Sequence, residues 1–425
     1  MGNHDRKCVD LTFSGVLKNG AVHRFPTLES RRGHLLPLIL SVLALLALVA
    51  GTPAPGHAGR LSLAPSLGTG VGYDSNPFWQ RDPDNAGVFL RIKPRLEASW
   101  REERWKLDSA VGARVLHYFE DDNLNREDVY GTLGVKLHAT ECLRLNAHVK
   151  AFRENTLDSE LAEVGVVRVY SEKVRLVGGG GFEWDMFPRT VGVGSYSHTD
   201  VGYDSDNLRD HTSQSASFLV SHRLKTRRDT LLGKAAYTRY DSSASLVDNG
   251  SLYAGWNRDL SASWSVESLF GVRLTNRQVF RFEPATNSVV EAHELDWGGL
   301  ANVTVYYSGE EDEASLGYSR DLSYTSGGYP INRDVLRGSY RHQFTEDLAV
   351  GISSGVYRTK YDSDANQPDG VSYNIEPWAS WRFNAADTLK LSYRYWKGDR
   401  DGQGLDRTRH EILLQWQYHP GAWTP

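Results

Sequence analysis

Long apolar runs, cysteine and surplus positive charge are all scarce in this 425-residue chain, and each scarcity excludes something. The one strongly apolar run covers residues 35–50, preceded by Arg31 and Arg32 and followed by Gly51, Pro53, Pro55 and Gly56. A spanning helix needs about 20 apolar residues. This run falls short of that, and its basic lead, apolar centre and small-residue end are the three parts of a secretory signal. Gly56-His57-Ala58 places small residues at the cleavage positions, so cleavage is expected after Ala58. Residues 1–58 are therefore read as an N-terminal extension and signal peptide, and residues 59–425 as the mature domain. No cysteine stands at the cleavage site, which argues against lipid attachment.

The two cysteines are Cys8 and Cys142, and the first lies in the segment expected to be removed. Cys142 alone provides no internal disulfide, no zinc-finger site and no redox pair, and is expected as an inert strand-end residue. A net charge of -5 excludes a broadly basic nucleic-acid binder. No cofactor motif is present.

Aromatics and glycine are plentiful: 12 Trp, 21 Tyr and 40 Gly. From Leu61 onward no amphipathic helix is evident, and segments of about 10 to 14 residues alternate with period two between Gly, Asp, Asn and Pro breaks. Val88, Leu90, Ile92, Leu96 and Trp100 share one face, and Arg91, Lys93, Arg95, Glu97 and Ser99 the other. One face suits lipid and the other water. The mean hydropathy of -0.47 agrees, because alternating strands average to hydrophilic. The pattern predicts an all-β fold: a transmembrane antiparallel up-and-down β-barrel of about 18 strands in a bacterial outer membrane, reached by Sec-type export.

Predicted strands include 61–73, 88–100, 229–240, 249–259, 263–275, 292–307, 388–397 and 408–418. Connections are expected to alternate strictly between short (101–104, 225–228, 345–347, 384–387) and long (74–87, 155–172, 276–291, 398–407). Short turns belong in the periplasm and long loops outside. Tyr-Asp-Ser recurs at Tyr73-Asp74, Tyr203-Asp204, Tyr240-Asp241 and Tyr361-Asp362, each time at an outward strand end. The reading is an interfacial Tyr of an aromatic girdle, followed by an Asp that begins a solvated loop. Trp100, Trp105, Trp184, Trp264, Trp378, Trp381 and Trp416 are expected to form the opposite girdle. The last strand points Ile412, Leu414, Trp416 and Tyr418 outward, as a strand handed to the barrel-assembly machinery would. Outer-membrane lipid and lipopolysaccharide are the other expected partners.

No chemistry stands out. The histidines from His117 to His419 scatter over strand ends without repeated spacing, which gives no catalytic grouping. Asp200, Asp204 and Asp206 lack the fixed Gly and terminal Glu of a calcium loop. The lumen is more informative. Period two points Arg91, Lys93, Arg95, Arg337, Arg341, Lys390 and Arg394 inward, and under this assignment inward bases outnumber inward acids by roughly two to one. A net-positive wall concentrates anions. The alternative is that inward Arg and Glu pair across strands and stiffen the wall. The loop over 155–172, with Leu157, Leu161, Val164, Val166 and Val167, is apolar enough to fold inward or to pack on the rim.

At Gly70-Val71-Gly72-Tyr73-Asp74-Ser75-Asn76-Pro77-Phe78 the chain resembles the opening of the putative β-barrel porin type 2 family, whose members begin with a glycine-rich strand running into Tyr-Asp-Ser-Asn. The resemblance implies an outer-membrane conduit for an anionic exopolysaccharide or capsule, working with periplasmic polysaccharide-export components. It supplies no catalytic residues. The alternative is a diffusion porin for small, preferably anionic, solutes. A surface enzyme would need a clustered polar constellation that the sequence does not show.

Overall fold

The computed structural model describes residues 59–80, 83, 85–163, 170–283, 288–361, 369–400 and 406–424. The expected signal peptide, with Cys8, lies outside these residues, as do Val164, Val166, Val167 and Asp362. The alternating segments form 18 strands: β1 (Arg60–Asp74), β2 (Gly87–Arg101), β3 (Trp105–Tyr118), β4 (Arg126–His138), β5 (Leu143–Asn155), β6 (Glu172–Phe187), β7 (Thr190–Tyr203), β8 (His211–Arg223), β9 (Asp229–Ser242), β10 (Ser245–Asp259), β11 (Trp264–Glu283), β12 (Ser288–Ser308), β13 (Asp312–Tyr324), β14 (Pro330–Gln343), β15 (Leu348–Tyr361), β16 (Gly370–Arg382), β17 (Asp387–Arg400) and β18 (Arg407–Tyr418). Each pairs antiparallel with the next, and β18 pairs back onto β1 from Leu67↔Tyr418 to Asp74↔Glu411. The sheet is therefore a closed 18-stranded antiparallel barrel, the form that leaves no exposed edge in lipid.

Around the β1–β18 seam the alternating faces are those the sequence predicts. Leu391, Ile412 and Leu414 are about half exposed on the outer wall, whereas Arg91, Glu411 and Gln415 are buried inside. Below Leu67 the edge of β1 lacks β18, and the chain's tail covers it: Leu63 and Trp423 exchange backbone hydrogen bonds of 2.9 and 2.7 Å.

Three expectations need correction. The connections do not alternate strictly. Only residues 243–244 separate β9 from β10, because the Ser242 hydroxyl accepts from the N–H groups of Ala244 and Ser245 at 3.3 and 3.1 Å. Residues 245–248, expected in that connection, already belong to β10. Likewise most of 276–291 is ladder, since β11 and β12 pair on to Glu283↔Ser288.

The Tyr-Asp-Ser copies do not share one orientation. Tyr73 is exposed on the outer wall, but Tyr240 and Tyr361 are buried, and the rings run Tyr203–His211–Tyr240 on the inside at 6.0 and 4.9 Å. The motif fixes a strand end, while strand phase decides which of two consecutive residues faces lipid. Asp204 and Asp241 are exposed, as expected of loop acids. Trp378 also turns inward, with the Lys390 ammonium 5.1 Å from its ring. Cys142 stands in the turn between β4 and β5, its N–H donating to the Thr140 hydroxyl at 3.3 Å.

The assigned faces of β17 yield a direct check. Leu391→Arg places a charge on the lipid side at a cost of about 2 to 4 kcal/mol near the midplane. It should sharply lower the yield of folded, heat-modifiable barrel, whereas Lys390→Ser, on the water side, should fold normally. Equal yields for both variants would mean that this strand's register is wrong.

Candidate functional site

Two structures enter the lumen from its long-loop end. The first is α1 (Thr156–Glu163), in the connection after β5. Asn155 caps it, its Oδ1 accepting from the Asp158 N–H at 3.1 Å. The cap places Asp158 in the first turn, where a helix N-terminus favours negative charge. Leu157 and Leu161, four residues apart, are fully buried against Trp79, Val335, Tyr357 and Trp396. Val335 belongs to β14, nine strands from β5 in a ring of 18, so α1 lies across the lumen and not on the rim. Beyond it, the Ser326 hydroxyl donates to Glu160 Oε2 at 3.0 Å.

The second is the tip of the β13–β14 hairpin. The β12–β13 ladder ends at Ala301↔Arg320, and above that point the tip leaves the wall. Tyr324 stacks on Tyr240 at 4.1 Å, the Ser245 hydroxyl donates to Gly328 O at 2.6 Å, and Arg209 N–H donates to Ser326 O at 2.8 Å.

Charge holds α1 in place. Asp158 takes Arg114 Nη1 at 2.8 Å and Arg409 Nη1 at 3.4 Å. Arg409 in turn binds both oxygens of Asp74, with Nη2 at 2.7 Å, and lies 3.6 Å from Glu411. Asp74 also takes the Tyr118 hydroxyl at 3.2 Å and is wholly buried, not a solvated loop acid as the sequence suggested. Burial alone would push the Asp158 carboxyl up, but the guanidiniums of Arg114, Arg409, Arg126 and Arg394 hold it well below the usual carboxylate range.

Beneath α1 lies a cavity of about 730 Å³. Arg91, Lys93, Arg95, Lys390 and Arg394, five of the seven predicted lumen bases, line it together with Arg114. The other two stand elsewhere: Arg337 lies 5.4 Å from the Tyr357 ring, and Arg341 is 3.6 Å from Glu313. Asp128, Glu154, Asp158, Glu376 and Glu411 also line the cavity, so its charge is far nearer balance than two to one. Arg91 Nη2 donates to Gln415 Oε1 at 2.7 Å, reaching across β1 because Gly70 has no side chain. A Cβ at Gly70 would lie 2.5 Å from Leu414 O. Arg95 pairs with Glu97 at 2.6 Å, and Arg394 with Glu376 at 2.7 Å. Among the described residues, Lys93 and Lys390 face this cavity without an ion pair.

Sequence reasoning missed Asp158, Arg126 and Arg409 and gave Asp74 a different role. The one available signal was the cap-and-leucine pattern of Asn155, Leu157 and Leu161 in a supposed loop.

No family model and no curated protein matches the chain, so the resemblance at residues 70–78 stands on that motif alone. Solved structures do match in fold. OccAB3 of Acinetobacter baumannii is 12% identical, covering 87% of this chain and 100% of its own, with a TM-score of 0.43. OpdQ of Pseudomonas aeruginosa is 12% identical over 86% and 99%, at 0.47. The siderophore receptor PirA of Pseudomonas aeruginosa is 10% identical over 84% and 80%, at 0.44. These likenesses concern the barrel alone.

Removing the Asp158 charge tests the hold on α1. An unsatisfied buried polar group costs about 1 to 3 kcal/mol, so Asp158→Asn should loosen the helix and raise single-channel conductance. In the native chain the lowered carboxyl keeps its contribution above the ordinary carboxylate value of about 4 and loses it only well below. Conductance should thus be flat from neutral pH to about pH 4.5, the range just above that value. A step near pH 5 would show that Asp158 is not held as charge.

Proposed function

We propose that the chain is an outer-membrane channel that passes small anionic solutes, selecting them by charge and width. The observation that carries this is the cavity under α1, where Lys93 and Lys390 face water without ion pairs, among guanidiniums already engaged by carboxylates. Such a site attracts an anion without neutralising it, so the solute can leave again. The apolar outer wall and the closed ladder support placement in lipid. The same reading takes residues 1–58 as the exported leader and gives β18 to the barrel-assembly machinery.

Export of an anionic exopolysaccharide or capsule is the second reading, favoured by the motif at residues 70–78. A polymer needs an open bore. With α1 wedged between β5 and β14, this reading requires the helix to leave, presumes periplasmic export partners and ranks below the first.

Planar bilayers separate charge selectivity from its absence. The inward stripe Arg91, Lys93 and Arg95 has neighbours about 7 Å apart, and the screening length is about 8 Å at physiological salt. Reversal potentials should show anion preference at low salt that fades as salt rises and weakens when all three residues are replaced by Gln. Lys93→Gln should account for most of the loss, since Arg91 and Arg95 are paired. Cation selectivity of the native channel would remove the proposal. Loss of surface polysaccharide in a deletion strain would move the preference to export.

A further inference from the structure

The outer wall carries a second charged feature that the channel does not use. On β15 the outward residues Ile352 and Val356 are exposed and apolar, and the same face then switches to Arg358 and Lys360. On β17 the outward Leu391, Tyr393 and Tyr395 give way to Lys397. Arg358 lies ten residues above Leu348, and Lys397 ten above Asp387, at the short-turn ends of their strands. A rise of about 3.3 Å per residue and a tilt of about 40° put both cations about 25 Å up the wall, where the apolar band of a membrane barrel ends.

Between them, on β16, Tyr373 stands opposite both Val356 and Lys397, its ring 6.0 Å from that of Tyr395. Two strand spacings of about 4.8 Å separate β15 from β17, which with the stagger places Arg358 and Lys397 roughly 10 to 12 Å apart. Lys397 is 3.4 Å from the exposed Asp406, and Asp334, opposite Arg358, takes the Tyr318 hydroxyl at 2.7 Å and lies 3.8 Å from Arg320. Arg358 and Lys360 make no ion pair among the described residues. Cations at this height, facing outward above an aromatic belt, meet headgroups. In an outer membrane the outer-leaflet headgroup is a phosphorylated disaccharide on several acyl chains.

Resting on the outer-membrane reading, we propose that Arg358, Lys360 and Lys397 form a site on the outer wall for the phosphates of lipid A, with acyl chains lying on Ile352, Val356 and Tyr373. Arg358 offers a bidentate fork for one phosphate. Lys397 lies within a disaccharide's length for the other.

Folded protein in zwitterionic micelles, titrated with bis-phosphorylated lipid A and read by native mass spectrometry, should bind it at least tenfold more tightly than phosphate-free lipid A. The triple variant R358Q, K360Q and K397Q should lose that difference while binding phosphate-free lipid A as the native protein does. Should the triple variant not fold, Arg358→Gln alone is expected to weaken binding at least threefold. Equal affinity for the two lipids, unchanged binding by the variants, or displacement of lipid A by an equimolar amount of inorganic phosphate would each overturn the site. Anion selectivity in phosphatidylcholine bilayers without lipid A should be untouched by these substitutions. A native protein that does not insert there fails the membrane reading, whereas one that inserts but ignores the phosphates fails this inference alone.

Discussion

Arg409 is the charge on which the upper lumen depends. Its guanidinium joins Asp74 at the end of β1, Glu411 beside it on β18, and Asp158 on the helix that crosses the bore. A buried guanidinium without partners would be strongly destabilising, and so would buried carboxylates without it. The arrangement therefore ties three things together: closure of the β1–β18 seam, the fold of the first long loop, and the position of α1. Asn76 belongs to the same knot, its N–H donating to Asp74 Oδ1 at 3.0 Å and its side-chain amide to Thr408 O at 2.8 Å. The opening Tyr-Asp-Ser-Asn motif thus fixes the seam rather than starting a solvated loop.

The barrel was legible because its signal is strictly local. Period two, interrupted by turn residues, sets both the number of strands and the face of each residue, and Lys390, Leu391, Arg394 and Ile412 all stand where alternation puts them. What depends on other strands was not legible. Glu97, two residues along the same face, neutralises Arg95 within its own strand, but the state of Arg91 is not set locally. For Arg91 the answer lies in Glu411 and Gln415 on a strand more than 300 residues away. Tyr240 reads as a girdle residue until the β13–β14 tip is seen to fold onto it. Asp158 reads as loop acid until its helix is placed against β14.

The two inward elements meet, and their meeting sets the shape of the bore. An eight-residue helix is about 12 Å long, and here its far end touches the β13–β14 turn through Glu160 and Ser326. Trp79, Tyr357 and Trp396 pack around the helix, so apolar contact fixes its length axis while charge fixes its near end. Loosening the charges alone leaves the leucines in place, and the helix would swing about its buried end rather than leave the lumen.

That geometry bears on what can pass. The cations without ion pairs sit below the helix, on β2 and β17, either side of the β1–β18 seam, while guanidiniums at the level of the helix are committed to Asp74, Asp128, Asp158 and Glu411. An anion entering from the long-loop end first meets a neutralised ring and only then two unpaired ammonium groups. Attraction is thus placed below the helix and not at its level. Under the proposed function, this order keeps the level of the helix from trapping a polyvalent solute and suits small anions, which need only one cation at a time, better than a chain that must engage many at once.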